Sequence, residues 1–388
     1  MSDDRHRGWL YLGMLSLTHG LSDFYATAFA PLVETFRTSF DLDQAGIAVI
    51  GAVIGVFGSM MQPLFGIWGD RARRGLMAAV GLAVSAVFVS CIGLSPNVWV
   101  LGALLTVGAL GVAAYHPVSV ALATRFAPRR SVAVGYFLSG GGLGLALAPL
   151  VVPWVVARLG LAYLWVLAFP GAGFAVWIWT TSRDETRAVP SGRAFDLRAM
   201  FAPGTGPVWA LFAMATLRSL VVTAFIYFAS VLGASRGWDA VEAGRPAALF
   251  LACGVAGGLW GGYLGQRWDQ RLLLMGSAIV AAPLFWWFAR TGAWHGWAAF
   301  GAAGFAGGIA NTLNVSFGQE LRPQSAGMVS GLMMGLAWGL SNVLLIPVGL
   351  LADHVGIGAA LQVVALVSVV GALFGLLLPS SRARDGES

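Results

Sequence analysis

Gly66-Ile67-Trp68-Gly69-Asp70-Arg71-Ala72-Arg73-Arg74 closes one apolar run, 44–68, and opens onto another, 76–95. Each run matches the roughly 20 residues that cross a bilayer core. The turn between them is short and carries Arg71, Arg73 and Arg74. Apolar span, basic turn, apolar span is the pattern of a multi-pass membrane chain. Read outward from this turn, the pattern recurs. Spans are expected at 9–35, 44–68, 76–95, 97–124, 131–157, 162–182, 207–233, 242–265, 272–290, 297–320, 325–352 and 358–379. The fold class is therefore an all-α integral membrane protein of twelve transmembrane helices. One long polar stretch, 183–206, holds Arg183, Asp184, Glu185, Arg187, Arg193, Asp196 and Arg198. It divides the chain into an N-terminal six-helix bundle, 1–182, a cytoplasmic linker, 183–206, and a C-terminal six-helix bundle, 207–388.

The composition excludes a soluble globule. Hydrophobic residues make up 58% of the chain and charged residues 10%, with a mean hydropathy of +0.78. A soluble domain carries about 25% charged residues. The net charge of +6 would suggest nucleic acid as a partner of a soluble protein. Here all 23 basic residues are arginines, and 17 of them fall in loops and tails on one side of the twelve spans. Positive charge collects on the cytoplasmic side. Both termini and the linker are thus expected inside a bacterial inner membrane, with no nucleic-acid partner. Cys91 and Cys253 lie in separate apolar runs and offer neither a disulfide framework nor a metal-ligand spacing. No cofactor or metal is expected. The polar start, Met1 to Trp9, runs straight into a helix carrying His19 and Asp23, so it reads as a retained first helix rather than a signal peptide.

The halves echo each other. Phe40-Asp41-Leu42-Asp43-Gln44-Ala45-Gly46 opens the second span, and Trp238-Asp239-Ala240-Val241-Glu242-Ala243-Gly244 opens the eighth, 198 residues on. Internal repeats with a site between them are the usual plan of secondary transporters.

The turn 66–74 resembles the G-x-x-x-D-R-x-G-R signature of the major facilitator superfamily, with Arg73 in place of its second glycine. The resemblance implies a gating latch built from Asp70 and Arg71, with Arg125 at the end of the fourth span as a partner. A solvated basic turn is the plain alternative. Gly135, Gly144 and Ala148-Pro149 in the fifth span are similar to the antiporter signature of the superfamily. Ordinary helix packing explains them equally well. Within the superfamily the chain most resembles the fosmidomycin-resistance type of efflux protein. That likeness rests on Thr18-His19-Gly20-Leu21-Ser22-Asp23-Phe24-Tyr25, Gly111-Val112-Ala113-Ala114-Tyr115-His116-Pro117, Leu217-Arg218-Ser219, Gln319-Glu320-Leu321-Arg322-Pro323 and Gly327-Met328-Val329-Ser330-Gly331.

Charge inside a bilayer costs several kcal/mol and calls for a reason. His19 and Asp23 are four apart and share a helix face. They are read as the proton-coupling pair, against a purely structural hydrogen-bonded pair. Arg218 lies mid-span and cannot shed its proton, so it needs an anion. It is read as a substrate-binding residue that trades between Asp23 and an anionic solute, against a permanent ion pair. His116 before Pro117, Tyr25 and Tyr115, and Asn311 with Asn314 complete the candidate substrate-binding set, each with helix packing as its alternative. No Walker loop, nucleophile elbow or metal triad is present in the sequence, so an enzyme is not expected. The sequence thus points to a monomeric, proton-coupled exporter of a small organic anion or amphiphile. A proton-coupled importer and a non-transporting receptor or scaffold are the alternatives, and a head-group enzyme would need a catalytic cluster at one interface.

Overall fold

The computed structural model describes residues 2–69, 73–123, 130–182 and 204–380. The gating candidates Asp70, Arg71 and Arg125 lie outside the described residues. Helices of spanning length follow one another along the chain. In order they are α1 (Ser2–Thr27), α2 (Gln44–Gly69), α3 (Arg74–Leu94), α4 (Val98–Ala123), α5 (Arg130–Leu159) and α6 (Leu161–Ser182). Then come α7 (Gly206–Tyr227), α8 (Ala240–Gly265), α9 (Gln270–Arg290), α10 (Trp294–Leu321), α11 (Met328–Val355) and α12 (Ile357–Leu377). Ten of these are long and apolar enough to cross a membrane. The other two, α1 and α10, carry the polar residues His19, Asp23, Asn311 and Asn314. Candidate site residues also sit on two of the ten apolar helices, His116 and Tyr115 on α4 and Arg218 on α7.

The chain folds into two compact units, Met1–Phe36 with Val56–Ser191, and Arg37–Gly55 with Gly192–Ser388. In the first unit, α1 and α5 touch backbone to backbone. A Cβ on Gly20 would lie 2.8 Å from the Gly140 carbonyl oxygen, and one on Gly144 would collide with the Gly20 carbonyl. Small residues permit this approach between membrane helices. In the second unit, α8 and α10 pack the same way through Gly257, Gly304 and Gly308. There too the first half of α2 is held against α11. Both oxygens of Asp353 accept from the α2 N-terminus, from Gln44 N at 2.7 Å and Ala45 N at 3.0 Å. Tyr227 donates to the Ile47 carbonyl at 2.6 Å. Both α2 and α11 contain a π-helical turn, at Val56–Met60 and Leu332–Leu336.

Repeat equivalences are sharper in three dimensions than in sequence. Asp43 Oδ1 caps α2 by accepting from Gly46 N, and Asp239 caps α8 by accepting from Glu242 N. The α5–α6 and α11–α12 turns each use a left-handed glycine, Gly160 at φ 95° and Gly356 at φ 83°. In both comparisons the second element lies 196 residues after the first. The offset of 198 read from the composition of the loops is therefore displaced by two residues.

Candidate functional site

α1 sets His19 and Asp23 one turn apart, and α4 brings His116 to the same carboxylate. Asp23 Oδ1 is 2.9 Å from His116 Nε2, and Asp23 Oδ2 is 3.4 Å from His19 Nε2. The opposite nitrogens of both rings are committed to the backbone. His19 Nδ1 donates to the Phe137 carbonyl at 2.7 Å, and His116 Nδ1 donates to the Val112 carbonyl at 2.9 Å. A carbonyl oxygen only accepts, so each Nδ1 carries the hydrogen. Each Nε2 then turns its lone pair toward a carboxylate oxygen unless a further proton sits in that contact. With no added proton, both contacts set lone pair against lone pair. With two, both become charge-assisted hydrogen bonds. The cluster therefore has places for two protons, one per contact.

The surroundings hold these rings in place. His19 stacks on Phe137 of α5 at 4.0 Å between centroids, with planes 4° apart. Tyr115 is fully buried, and its hydroxyl lies 2.6 Å from Thr18 Oγ1. Thr18 in turn donates to the Leu15 carbonyl, so Tyr115 is the donor of that pair. A Cβ on Gly141 would collide with Asp23 Oδ2 and the His19 ring, so glycine is what lets α5 pass the cluster. His19 is 5% exposed, whereas Asp23 and His116 keep 15% and 19%. The cluster is thus reached from the Asp23–His116 side. One ring nitrogen from each of His19 and His116 and a carboxylate oxygen of Asp23 lie within 4.8 Å of one another, the one group of three potential metal ligands found among the described residues. Its members come from two helices, so no short metal-ligand motif marks it in the sequence.

The second unit has its own buried polar centre. Arg218 Nη2 donates to Asn311 Oδ1 at 3.0 Å and to Ser219 Oγ at 3.3 Å. Its guanidinium carbon sits 5.7 Å from the centroid of the Trp338 ring. Its Nε is buried without a hydrogen-bond partner. Among the described residues its partners are an amide, a hydroxyl and an indole, none of them anionic. One turn from Asn311, Asn314 is 2% exposed and both its side-chain polar atoms lack partners. Among the described residues, Tyr25 bonds to neither histidine nor the carboxylate. It donates to the Leu167 carbonyl and accepts from Gly171 N, tying α1 to α6.

The two centres share a sequence spacing. Asp23 and His116 are 93 residues apart, and so are Arg218 and Asn311. The second pair lies 195 residues after the first. α1 and α4 contribute an acid and an imidazole, while α7 and α10 contribute a guanidinium and an amide. Sequence reasoning paired His19 with Asp23 and read His116 as a substrate or proton contact without assigning it to Asp23; the shared spacing was the signal for the closer pair. It also passed over Trp338 and Thr18.

Comparison with known proteins places this geometry. The family profile described as Major Facilitator Superfamily matches residues 15–346. The chain belongs to the major facilitator superfamily. The fosmidomycin resistance protein of Escherichia coli is 25% identical over 387 residues, covering 96% of this chain and 94% of that protein. The MFS-type transporter YfnC of Bacillus subtilis is 24% identical, covering 97% and 94%. The hexuronate transporter of Escherichia coli is 22% identical, covering 94% and 92%. Among solved structures, the nucleoside transporter NupG superposes with a TM-score of 0.81 at 15% identity, covering 94% of this chain and 99% of that one. An inward-facing bacterial homologue of the human lysosomal transporter Spinster does so with 0.76 at 16% identity, covering 97% of each. The protein is a multi-pass membrane transporter of small molecules and not an enzyme.

Proposed function

We propose that this transporter exports a small organic anion across the bacterial inner membrane in exchange for protons, by alternating access of its two six-helix halves, 1–182 and 207–388. The observation that carries the reading is the Asp23 carboxylate facing two histidine Nε2 atoms whose other nitrogens are pinned to carbonyls. Such a cluster gains hydrogen bonds only by taking up protons. In the other half, Arg218 is a fixed cation whose partners among the described residues are neutral, and a fixed cation in a membrane core calls for an anion. Proton and anion thus have separate homes, one in each half. Loading the first with protons and emptying the second are coupled through the conformational cycle. The arginine distribution supports cytoplasmic termini.

The relation to a fosmidomycin resistance protein favours export, and the relation to a hexuronate transporter supplies the second reading, import of an anionic metabolite. A screen of organic carboxylates and phosphonates on reconstituted vesicles under an imposed pH gradient tests the proposal. Solute movement against its own gradient, driven by protons moving the opposite way, is expected. Movement in the same direction as the protons would establish import, and no flux for any solute would leave a receptor or scaffold.

A further inference from the structure

The same three side chains have the form of a metal site. The two histidines present Nε2 and donate Nδ1–H to backbone carbonyls of Phe137 and Val112. That is how ligating histidines are held in metalloproteins, where the outer hydrogen bond fixes tautomer and ring orientation. The carboxylate stands between them. With metal–ligand distances of about 2.1 Å, neighbouring ligand atoms on one ion sit about 3.0 Å apart in an octahedron and about 3.4 Å apart in a tetrahedron. The observed oxygen–nitrogen separations are 2.9 Å and 3.4 Å. The remaining separations are no more than 4.8 Å. From that upper bound, bringing the two imidazoles onto one ion needs about 1.4 Å of approach for a tetrahedral site and about 1.8 Å for neighbouring octahedral positions, from rings that already stand edge to face at 5.2 Å.

We propose that His19 Nε2, His116 Nε2 and the Asp23 carboxylate bind a divalent transition-metal ion of the zinc class. Two imidazoles and one carboxylate are a donor set for Zn²⁺, Co²⁺, Ni²⁺ and Fe²⁺, and poorly suited to Mg²⁺ or Ca²⁺, which take oxygen ligands. The ion would join α1 to α4 and leave coordination positions for water or solute on the Asp23–His116 side, where the cluster is open. This inference stands on ligand geometry and does not depend on the proton-exchange reading.

The test is calorimetric titration of purified, tag-free full-length protein with ZnCl₂, with MgCl₂ as the contrast. It is run in a Cys91→Ser, Cys253→Ser background so that the free thiols cannot contribute. One zinc per chain with micromolar or tighter affinity is expected, with no magnesium binding. His19→Gln and His116→Gln should each weaken zinc at least tenfold. Co²⁺ bound to the parent protein reads the site without relying on those variants: its visible absorption should be that of a four- or five-coordinate nitrogen–oxygen complex. The proposal is overturned if zinc fails to bind below millimolar concentration, if both histidine variants bind zinc as the parent does, or if bound Co²⁺ shows the weak spectrum of the hexaaqua ion. A protein that binds no zinc can still exchange protons for solute, and one that binds zinc can fail to, so the two readings fall separately.

Discussion

Replacing Asp23 by Asn removes the group on which both protonated contacts converge. In the native cluster, up to two protons fit between the carboxylate and the two Nε2 atoms. Each proton that moves down a gradient of one pH unit yields about 1.4 kcal/mol, a tenfold solute accumulation. The wild-type protein should therefore sustain a solute ratio of about tenfold for one proton and up to about 100-fold for two. An Asn amide donates to one Nε2 without needing a proton and turns its carbonyl to the other. At least one proton place is lost, and with it at least a tenfold factor in accumulation. The solute site at Arg218 is untouched, so exchange of labelled for unlabelled solute, which needs no net proton movement, should persist. Vesicles with an internal pH dye and labelled solute give both quantities from one preparation. If Asp23→Asn accumulates solute to the wild-type ratio, the cluster is not where coupling resides.

Other consequences follow from the same contacts. Arg218→Gln should abolish flux of anionic solutes by 100-fold or more in kcat/KM, roughly the loss of a charge-assisted hydrogen bond and its unpaired neighbour; full transport by this folded variant would remove the anion subsite. Exchanging a monoanion outward for a proton inward moves charge in one direction, so a 100 mV potential should add about 2.3 kcal/mol per charge to the driving force. Flux that ignores a valinomycin-imposed potential would contradict that exchange. Gly144→Val should lower the melting temperature, since its side chain meets the Gly20 backbone, which cannot rotate away; overpacking costs about 1–3 kcal/mol, and an unchanged melting curve would refute the packing described. Asp353→Ala removes both acceptors at the α2 N-terminus and should cost about 1–2 kcal/mol, read by thermal unfolding in detergent.

Much of the fold was legible because the bilayer enforces it. A span must be long and apolar, and the expected 44–68 became Gln44–Gly69 while 242–265 became Ala240–Gly265. The site was legible only in part. Charged residues in apolar runs stand out one at a time, which is why Asp23, His19 and Arg218 were found. Their partners come from distant helices, and no local spacing reports them. Asp23 meets His116 because α4 crosses α1 at that depth. Tyr115 and Tyr25 looked like cavity residues by type, yet their hydroxyls are committed to Thr18 and to the α6 backbone. Repeat symmetry would have supplied the missing pairing, had the halves been aligned on the 93-residue spacing of the polar pairs rather than on loop composition.

The most direct test is a count of protons moved per solute molecule in the same vesicles, for a carried anion. The account predicts a ratio of one or two in the wild-type protein and a lower one in Asp23→Asn. Solute movement with no accompanying protons, or with three or more, would contradict it.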